Sequence, residues 1–177
     1  MERQVKDMLI FAKGDAILDE CISIDQLLTE MKTAAEVLLK QNTSSCSWEN
    51  LTPGAAIQCN KESLVGALLN LVENSLQSAG KKANLKIRSE FVVESDSASG
   101  KSPLKKLCLY IEDSGPGFEE EYVDQLTEPF FTTKPRGTGL GLAVAQVVAK
   151  AHNGSFIIES RKGGGVKAGF ILPAVIA

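Results

Sequence analysis

The stretch from Asp113 to Leu142 constrains this chain more than any other. It reads DSGPGFEEEYVDQLTEPFFTTKPRGTGLGL and holds two glycine clusters, Asp113-Ser114-Gly115-Pro116-Gly117 and Gly137-Thr138-Gly139-Leu140-Gly141. Between them lies a proline-bounded aromatic and threonine segment, Glu128-Pro129-Phe130-Phe131-Thr132-Thr133-Lys134. Glycines this close together mark backbone that bends sharply or approaches a ligand more closely than a Cβ would allow. The rest of the fold therefore has to present this stretch.

At 177 residues and 44% hydrophobic, the chain suits one globular domain with a sizeable core, with or without a short appendage. A formal net charge of −3 provides no basic field for sequence-independent binding to nucleic acid. No apolar run is long enough to span a bilayer, and no signal peptide is visible, so a cytoplasmic chain without membrane contact is expected. Cys21, Cys46, Cys59 and Cys108 are widely spaced and form no CxxC pair. Reduced, mostly buried thiols are expected rather than zinc or disulfides.

Along the chain, Val5, Met8, Leu9 and Ala12 form a narrow helical stripe before Gly14, either a helix docked on the domain or the stub of a longer one. Ser23-Ile24-Asp25-Gln26 has the form of a capping box, flanked by Ile22 and Leu27 as a hydrophobic staple, and predicts a helix to about Lys40. Cys46–Leu51 and Ala55–Cys59, joined by Thr52-Pro53-Gly54, read as a β-hairpin. Asn60 can cap a helix over Lys61–Ala79 whose leucines fill one arc while Asn70, Glu73, Asn74 and Gln77 gather on the other. Strands are expected at Leu85–Val93 and Leu104–Glu112, with the polar segment 94–103 as a surface loop between them. A short helix at Glu119–Leu126 and a buried one over Gly139–Ala151 follow. Ser155–Ser160 and Ala168–Leu172 then pair through a turn at Arg161–Gly165.

Neither glycine cluster is a P-loop, because no Gly-Lys-Ser/Thr follows at the required spacing, and neither is a full GxGxxG fingerprint. What the sequence provides is a carboxylate at a strand end, a glycine-rich helix start and an asparagine-bearing helix face. A carboxylate accepts hydrogen bonds from an exocyclic amino group such as that of adenine, and amide oxygens are hard ligands suited to Mg²⁺. A helix N-terminus with free N–H groups suits phosphates.

This constellation resembles the ATP-binding domain of sensor histidine kinases, within the group that includes gyrase, the heat-shock chaperone and mismatch-repair ATPases. Asn70-Leu-Val-Glu-Asn74 resembles the family's N box, Asp113-Ser-Gly-Pro-Gly117 its first glycine box, Pro129-Phe-Phe-Thr-Thr-Lys134 its F box, and Gly137-Thr-Gly-Leu-Gly141 its second glycine box. The four motifs stand in the family's order, and the resemblance covers roughly residues 22 to 173. It implies an α+β fold of the GHKL ATPase type: a two-layer α/β sandwich with a mixed, mostly antiparallel sheet of about five strands, covered on one face by about three helices.

Carried over residue by residue, the resemblance implies that Asn74 ligates Mg²⁺ and Asn70 supports the metal and phosphates. Asp113 would bind the adenine amino group, and Gly115 and Gly117 would admit the base, with Phe118 in the same nucleotide-contacting set. Thr132, Thr133 and Lys134 would approach the triphosphate, with Asn70, Asn74 and Lys134 as the catalytic group. Gly137, Thr138, Gly139, Leu140, Gly141 and Leu142 would complete the phosphate side, Gly139 to Gly141 through their backbone N–H groups. Only Pro135 and Arg136 separate the F box from the second glycine box, so the ATP lid is short, as in the nitrogen-regulator and flagellar-regulator subgroup. Residues 1–14 then resemble the end of the dimerisation helix pair of flagellar kinases of the FlrB/FleS type, leaving 15–177 as the catalytic domain.

The implied reaction is transfer of the ATP γ-phosphate to a histidine on dimerisation helices, for relay to a response regulator. The sole histidine, His152, stands at the end of the buried helix and is expected to be structural, so the fragment should lack its acceptor. Three positions depart from the family's pattern: Gln77 where many relatives are basic, Ser78 where some are aromatic, and Val166 where a threonine is usual. Glu73 is read as an orienting or solvated residue, with a general-base role as its alternative. Rival functions expect other features. An ATPase clamp expects a long lid and a transducer domain; an anti-sigma serine kinase fits poorly with FFTTK; a nucleotide-sensing module would bind without catalysis.

Overall fold

A computed structural model describes residues 17–94, 104–132 and 137–176. The expected helical stripe before Gly14 and the loop centred on 95–103 lie outside the described residues. In chain order the elements are β1 (Glu20–Ser23), α1 (Ile24–Gln41), β2 (Ser45–Asn50), β3 (Ala55–Cys59), α2 (Lys61–Ala79), β4 (Asn84–Glu94) and β5 (Leu104–Glu112). A 3-10 turn at Glu120–Tyr122 leads into the single-turn α3 (Val123–Leu126), followed by α4 (Gly141–Ala151), β6 (Ser155–Ser160), β7 (Val166–Pro173) and β8 (Val175–Ile176).

The main sheet has five strands in the order β2-β4-β5-β7-β6. Its β2–β4 pair is parallel and the other neighbours are antiparallel. Because side chains alternate across a strand, Leu107, Leu109 and Ile111 of β5 point to one face. The register sets Phe91, Ser89 and Ile87 of β4 beside them on one flank, and Leu172, Phe170 and Ala168 of β7 on the other. That face packs against Leu27 and Met31 of α1, Leu64, Leu68 and Leu71 of α2, and Val144 and Val148 of α4 in one continuous core. The two-layer sandwich and its mixed sheet are thus as expected.

Local signals hold where the chain satisfies itself locally. The Ser23 hydroxyl accepts the N–H of Gln26 at 3.2 Å, capping α1, and Ile22 and Leu27 are both buried. The reciprocal half of the capping box is absent, because the Gln26 amide turns instead to Glu30 at 3.3 Å. Asn60 caps α2 through its side-chain oxygen, which accepts the Ser63 N–H at 3.0 Å. α4 begins at Gly141 rather than Gly139, since Gly139 takes φ +68, outside the helical region.

The expected β2–β3 hairpin is not formed. The turn itself is there, with the Ala55 N–H donating to the Thr52 carbonyl at 3.1 Å and Gly54 at φ +77. The strands it joins diverge into different sheets: β2 pairs with β4, and β3 joins a small sheet in the order β1-β3-β8. A buried polar knot directs this. Asn50 Oδ1 accepts from the Thr52 N–H, the Thr52 hydroxyl and the Ser89 hydroxyl at 2.8 to 2.9 Å, anchoring the end of β2 to β4. Thr52 and Ser89 are fully buried, and an unpaired hydroxyl there would be costly, so the knot outweighs a local hairpin.

All four cysteines are free; Cys59 and Cys108 are buried, whereas Cys21 is exposed. Burial pushes the Cys46 thiol up to about 12 and those of Cys59 and Cys108 to about 11, so these three stay protonated and inert. Among the described residues no helix is long and apolar enough to cross a membrane.

Candidate nucleotide site

β5 delivers Asp113 to the end of the central strand, where it is 2% exposed. Its carboxylate Oδ1 accepts the N–H of Gly115 at 2.8 Å and the N–H of Val166 at 3.1 Å. Its backbone is held as well: the Asp113 N–H donates to the Val166 carbonyl at 3.0 Å, and its carbonyl accepts from Arg161 Nη1 at 3.1 Å. Four bonds fix this residue, two at the carboxylate and two at the backbone; one comes from the turn it begins and three from β7 and its preceding turn. A carboxylate so deeply buried and so firmly aimed suits recognition of a donor on a planar base.

The surrounding glycines explain themselves by what a Cβ would strike. At Gly165 it would lie 2.0 Å from the Asp113 carbonyl oxygen, and at Gly117, with φ +80, 2.5 Å from the Ser160 hydroxyl. That hydroxyl also accepts the Phe118 N–H at 3.2 Å. A Cβ on Gly115 would lie 3.3 Å from the Ala79 Cα at the end of α2. The first glycine cluster is therefore wedged between α2 and the β6–β7 turn. Ser160, Arg161 and Gly165 form that wedge; Gly165 lies in the family's last motif, Gly163–Ala168, whereas the motif reading gave Ser160 and Arg161 no role. The run Gly163-Gly164-Gly165 was the available signal, since three successive positive φ values of +92 to +104 accommodate almost only glycine.

On the other side, α2 and α4 meet at the motif residues. A Cβ on Gly141 would sit 3.2 Å from Asn74 Nδ2 and 3.9 Å from the Asn70 Cβ, so the absence of a side chain at Gly141 lets the asparagine face and the start of α4 come together. Asn70 is 5% exposed, Glu73 and Asn74 are half-buried, and Gln77 is exposed. The Asn70–Asn74 part of the polar arc is thus met by the second glycine box, while Gln77 stays exposed. The N-cap residue of α4, Leu140, makes no side-chain capping bond, and the N–H groups of a helix's first turn are a ready site for anions.

The F box joins the same place. Phe130, at φ +68, donates its N–H to the Gly139 carbonyl at 3.0 Å, and a Cβ on Gly139 would lie 2.4 Å from the Phe130 carbonyl carbon. Leu140 is buried, Leu142 half-buried, and Thr132, Gly137 and Thr138 are exposed around them. Thr133 and Lys134 lie outside the described residues. A cleft of about 930 Å³ opens elsewhere, between α1 and β2, and Lys32, Trp48 and Lys82 line it without any motif residue. Glycine geometry rather than cleft size locates the site.

Residues 59–176 match the family described as histidine kinase-, DNA gyrase B- and HSP90-like ATPases. The chain belongs to that family. It is 40% identical over its full length to the sensor protein kinase FleS of Pseudomonas aeruginosa, covering 41% of that protein. It is 32% identical to the sensor histidine kinase ZraS of Escherichia coli, over 99% of this chain and 36% of ZraS. The chain thus spans about two fifths of the length of these curated relatives. The catalytic domain of histidine kinase ThkA superposes on it with a TM-score of 0.72 at 26% identity, covering 87% of this chain and 94% of that one. This member of the ATPase family is therefore a histidine-kinase-type ATP-binding domain, with Asp113, Asn70, Asn74 and both glycine boxes converging on one side of the sandwich.

Proposed function

We propose that this domain binds ATP together with Mg²⁺ and presents the γ-phosphate to a histidine on dimerisation helices, from which a response regulator receives it. The observation that carries this is the double anchorage of the Asp113 carboxylate, on Gly115 and Val166, beside an α2–α4 contact made of Asn74 and Gly141. Asp113 would hold the adenine amino group. Gly115 and Gly117 would admit the base, and the amides of Gly141 and Leu142 at the start of α4 would bind phosphate oxygens. Thr132, Thr133, Lys134, Gly137, Thr138, Gly139 and Leu140 would serve the same phosphate side.

The donor set fits a metal shared with the nucleotide. Among the described residues no three His, Cys, Asp or Glu side chains gather, so there is no all-protein cage. Asn70 and Asn74 offer hard amide oxygens, and Mg²⁺ commonly completes its octahedron with phosphates and water. When bound it would neutralise charge on the phosphates; the protein's share is positioning, which dominates phosphoryl transfer. Glu73, half-buried beside Asn74, is assigned an orienting role.

His152 is no acceptor. It is 2% exposed and both ring nitrogens are engaged in hydrogen bonds. The acceptor then lies on helices of which residues 1–14 would be the end, with 15–177 as the catalytic domain. The identity to FleS supports the flagellar-regulator subgroup, and a kinase domain of that kind would work in the cytoplasm. Incubating the chain with labelled ATP and a separate helix pair bearing a histidine tests the proposal. Acid-labile label is expected on the helix pair alone; label on His152, or none on the pair while ATP binds, would overturn it.

A further inference from the structure

His152 stands at the C-terminal end of α4, where the chain is locked from below. Its backbone N–H donates to the Val148 and Ala149 carbonyls at 3.1 Å, and the Gly154 N–H returns to Ala149 at 2.9 Å. A Cβ on Gly154 would lie 2.3 Å from the Ile171 carbonyl oxygen, so this turn is seated directly on β7. From that anchored position the imidazole crosses to α2. Its Nε2 lies 3.0 Å from the backbone nitrogen of Asn60, and its Nδ1 lies 2.7 Å from the Val148 carbonyl oxygen.

These two contacts determine the tautomer. A backbone N–H can only donate, so Nε2 must carry a lone pair; a carbonyl can only accept, so the proton sits on Nδ1. A doubly protonated ring would face the Asn60 N–H with a second donor. Among the described residues no charged side chain acts on the ring. Lys61, next to Asn60, is turned toward Glu20 and Glu30, and Lys150 of α4 is exposed.

Asn60 is used at every polar atom. Its side-chain oxygen caps α2 at Ser63, its carbonyl accepts from the Leu64 N–H and the Ser63 hydroxyl, and its Nδ2 donates to the Ile17 carbonyl at 3.4 Å. At the opposite end of the same helix pair, Gly141 rests on Asn74. α2 and α4 run antiparallel, tied at His152–Asn60 and in contact again at Gly141–Asn74.

We propose that His152 is a positioning residue for the nucleotide site: as its Nδ1–H tautomer it pins the end of α4 to Asn60 and so sets how far the second glycine box sits along α2 from the asparagine pair. The same pin reaches the segment entering the domain at Ile17. Its link to nucleotide rests on the function proposed above. The residue touches no ligand and acts through the register of two helices.

The test uses two variants of the chain. His152→Gln keeps an acceptor where Nε2 lies but does not titrate. His152→Asn is too short to reach Asn60 and leaves that buried N–H unpaired. Calorimetry with Mg-ATP well below the melting temperature should show His152→Gln within about twofold of wild type and His152→Asn weaker by about tenfold. Wild-type affinity should fall only once the pH drops into the range where the folded protein's ring protonates, which burial places below the ordinary value, whereas the profile of His152→Gln should lack that step. Nitrogen NMR of the wild type should show Nδ1 protonated and Nε2 bare at neutral pH; the opposite tautomer overturns the pin. Amide exchange separates the two proposals without nucleotide. In His152→Asn it should rise at Asn74 and Gly141 as well as at Asn60. Unchanged exchange at that far end sinks the register role, whereas failure of the wild type to bind ATP sinks the nucleotide reading alone.

Discussion

Phe130 and Gly139 are joined by a backbone hydrogen bond of 3.0 Å, with both residues at φ +68. The aromatic segment and the second glycine box thus form one closed unit although nine positions separate the pair. Gly139→Ala would place a Cβ against the Phe130 backbone. It is expected to cost about 1–3 kcal/mol locally and to weaken ATP binding more than it lowers the melting temperature. Calorimetry beside a thermal melt checks this; a variant with unimpaired binding would show that the closed unit is irrelevant to nucleotide.

Asp113→Asn should separate folding from recognition. The amide oxygen can still accept from Gly115 and Val166, so the turn survives. The amide nitrogen, however, would meet the adenine amino group donor to donor. Binding of ATP should fall by about 100-fold with little change in melting temperature. Asp113→Ala, which loses both turn bonds, should lower both.

Two glycines with similar φ should respond very differently to alanine. Gly54, at φ +77, has nothing near its missing Cβ, and Gly54→Ala should cost about 1 kcal/mol. Gly165, at φ +92, faces backbone at 2.0 Å, and Gly165→Ala should cost about 3 kcal/mol or prevent folding. Urea titration of the two variants decides it.

Asn74→Ala removes the amide that meets Gly141 without touching the adenine side. The gain in ATP affinity on adding Mg²⁺ should shrink by about tenfold, while metal-free binding stays near wild type. An undiminished metal effect would move the ligand elsewhere.

Burial lowers the His152 value in the folded protein from its ordinary 6.5. Between the two values the unfolded chain binds more protons than the folded one, so stability rises with pH in that window. The contribution is complete above 6.5 and is lost as the pH falls below it. The urea midpoint should therefore drop on acidification from pH ~7.5 toward ~5.5, and His152→Gln should lack this component.

Much of this was legible in the residues because it is local or periodic. Ser23 and Asn60 announce helix starts, and the leucine arc of α2 announces its buried face. The β2–β3 hairpin misled because a turn is specified by three residues, whereas strand pairing depends on Asn50 finding Ser89 at a distance. The small sheet was missed for a related reason: β1 and β8 are four and two residues long, too short to show any alternation. The asparagine face of α2 was legible as functional from its residue types, but nothing in α2 itself shows that the start of α4 meets it at Gly141. Ser160 and Arg161 were read only as a strand end and a turn start, since neither residue type has a pattern there; their contacts with the first glycine cluster give them a role.

The anchorage of Asp113 also implies an unequal distribution of stiffness across the site. The base end hangs from the middle strand of the sheet and is clamped by its neighbour, so it loses almost no freedom when a nucleotide arrives. The proposed phosphate end has exposed residues at Thr132, Gly137 and Thr138, and fixing exposed residues on a ligand draws on the binding energy. Discrimination among bases should consequently survive heating or mild denaturant better than affinity for the triphosphate does.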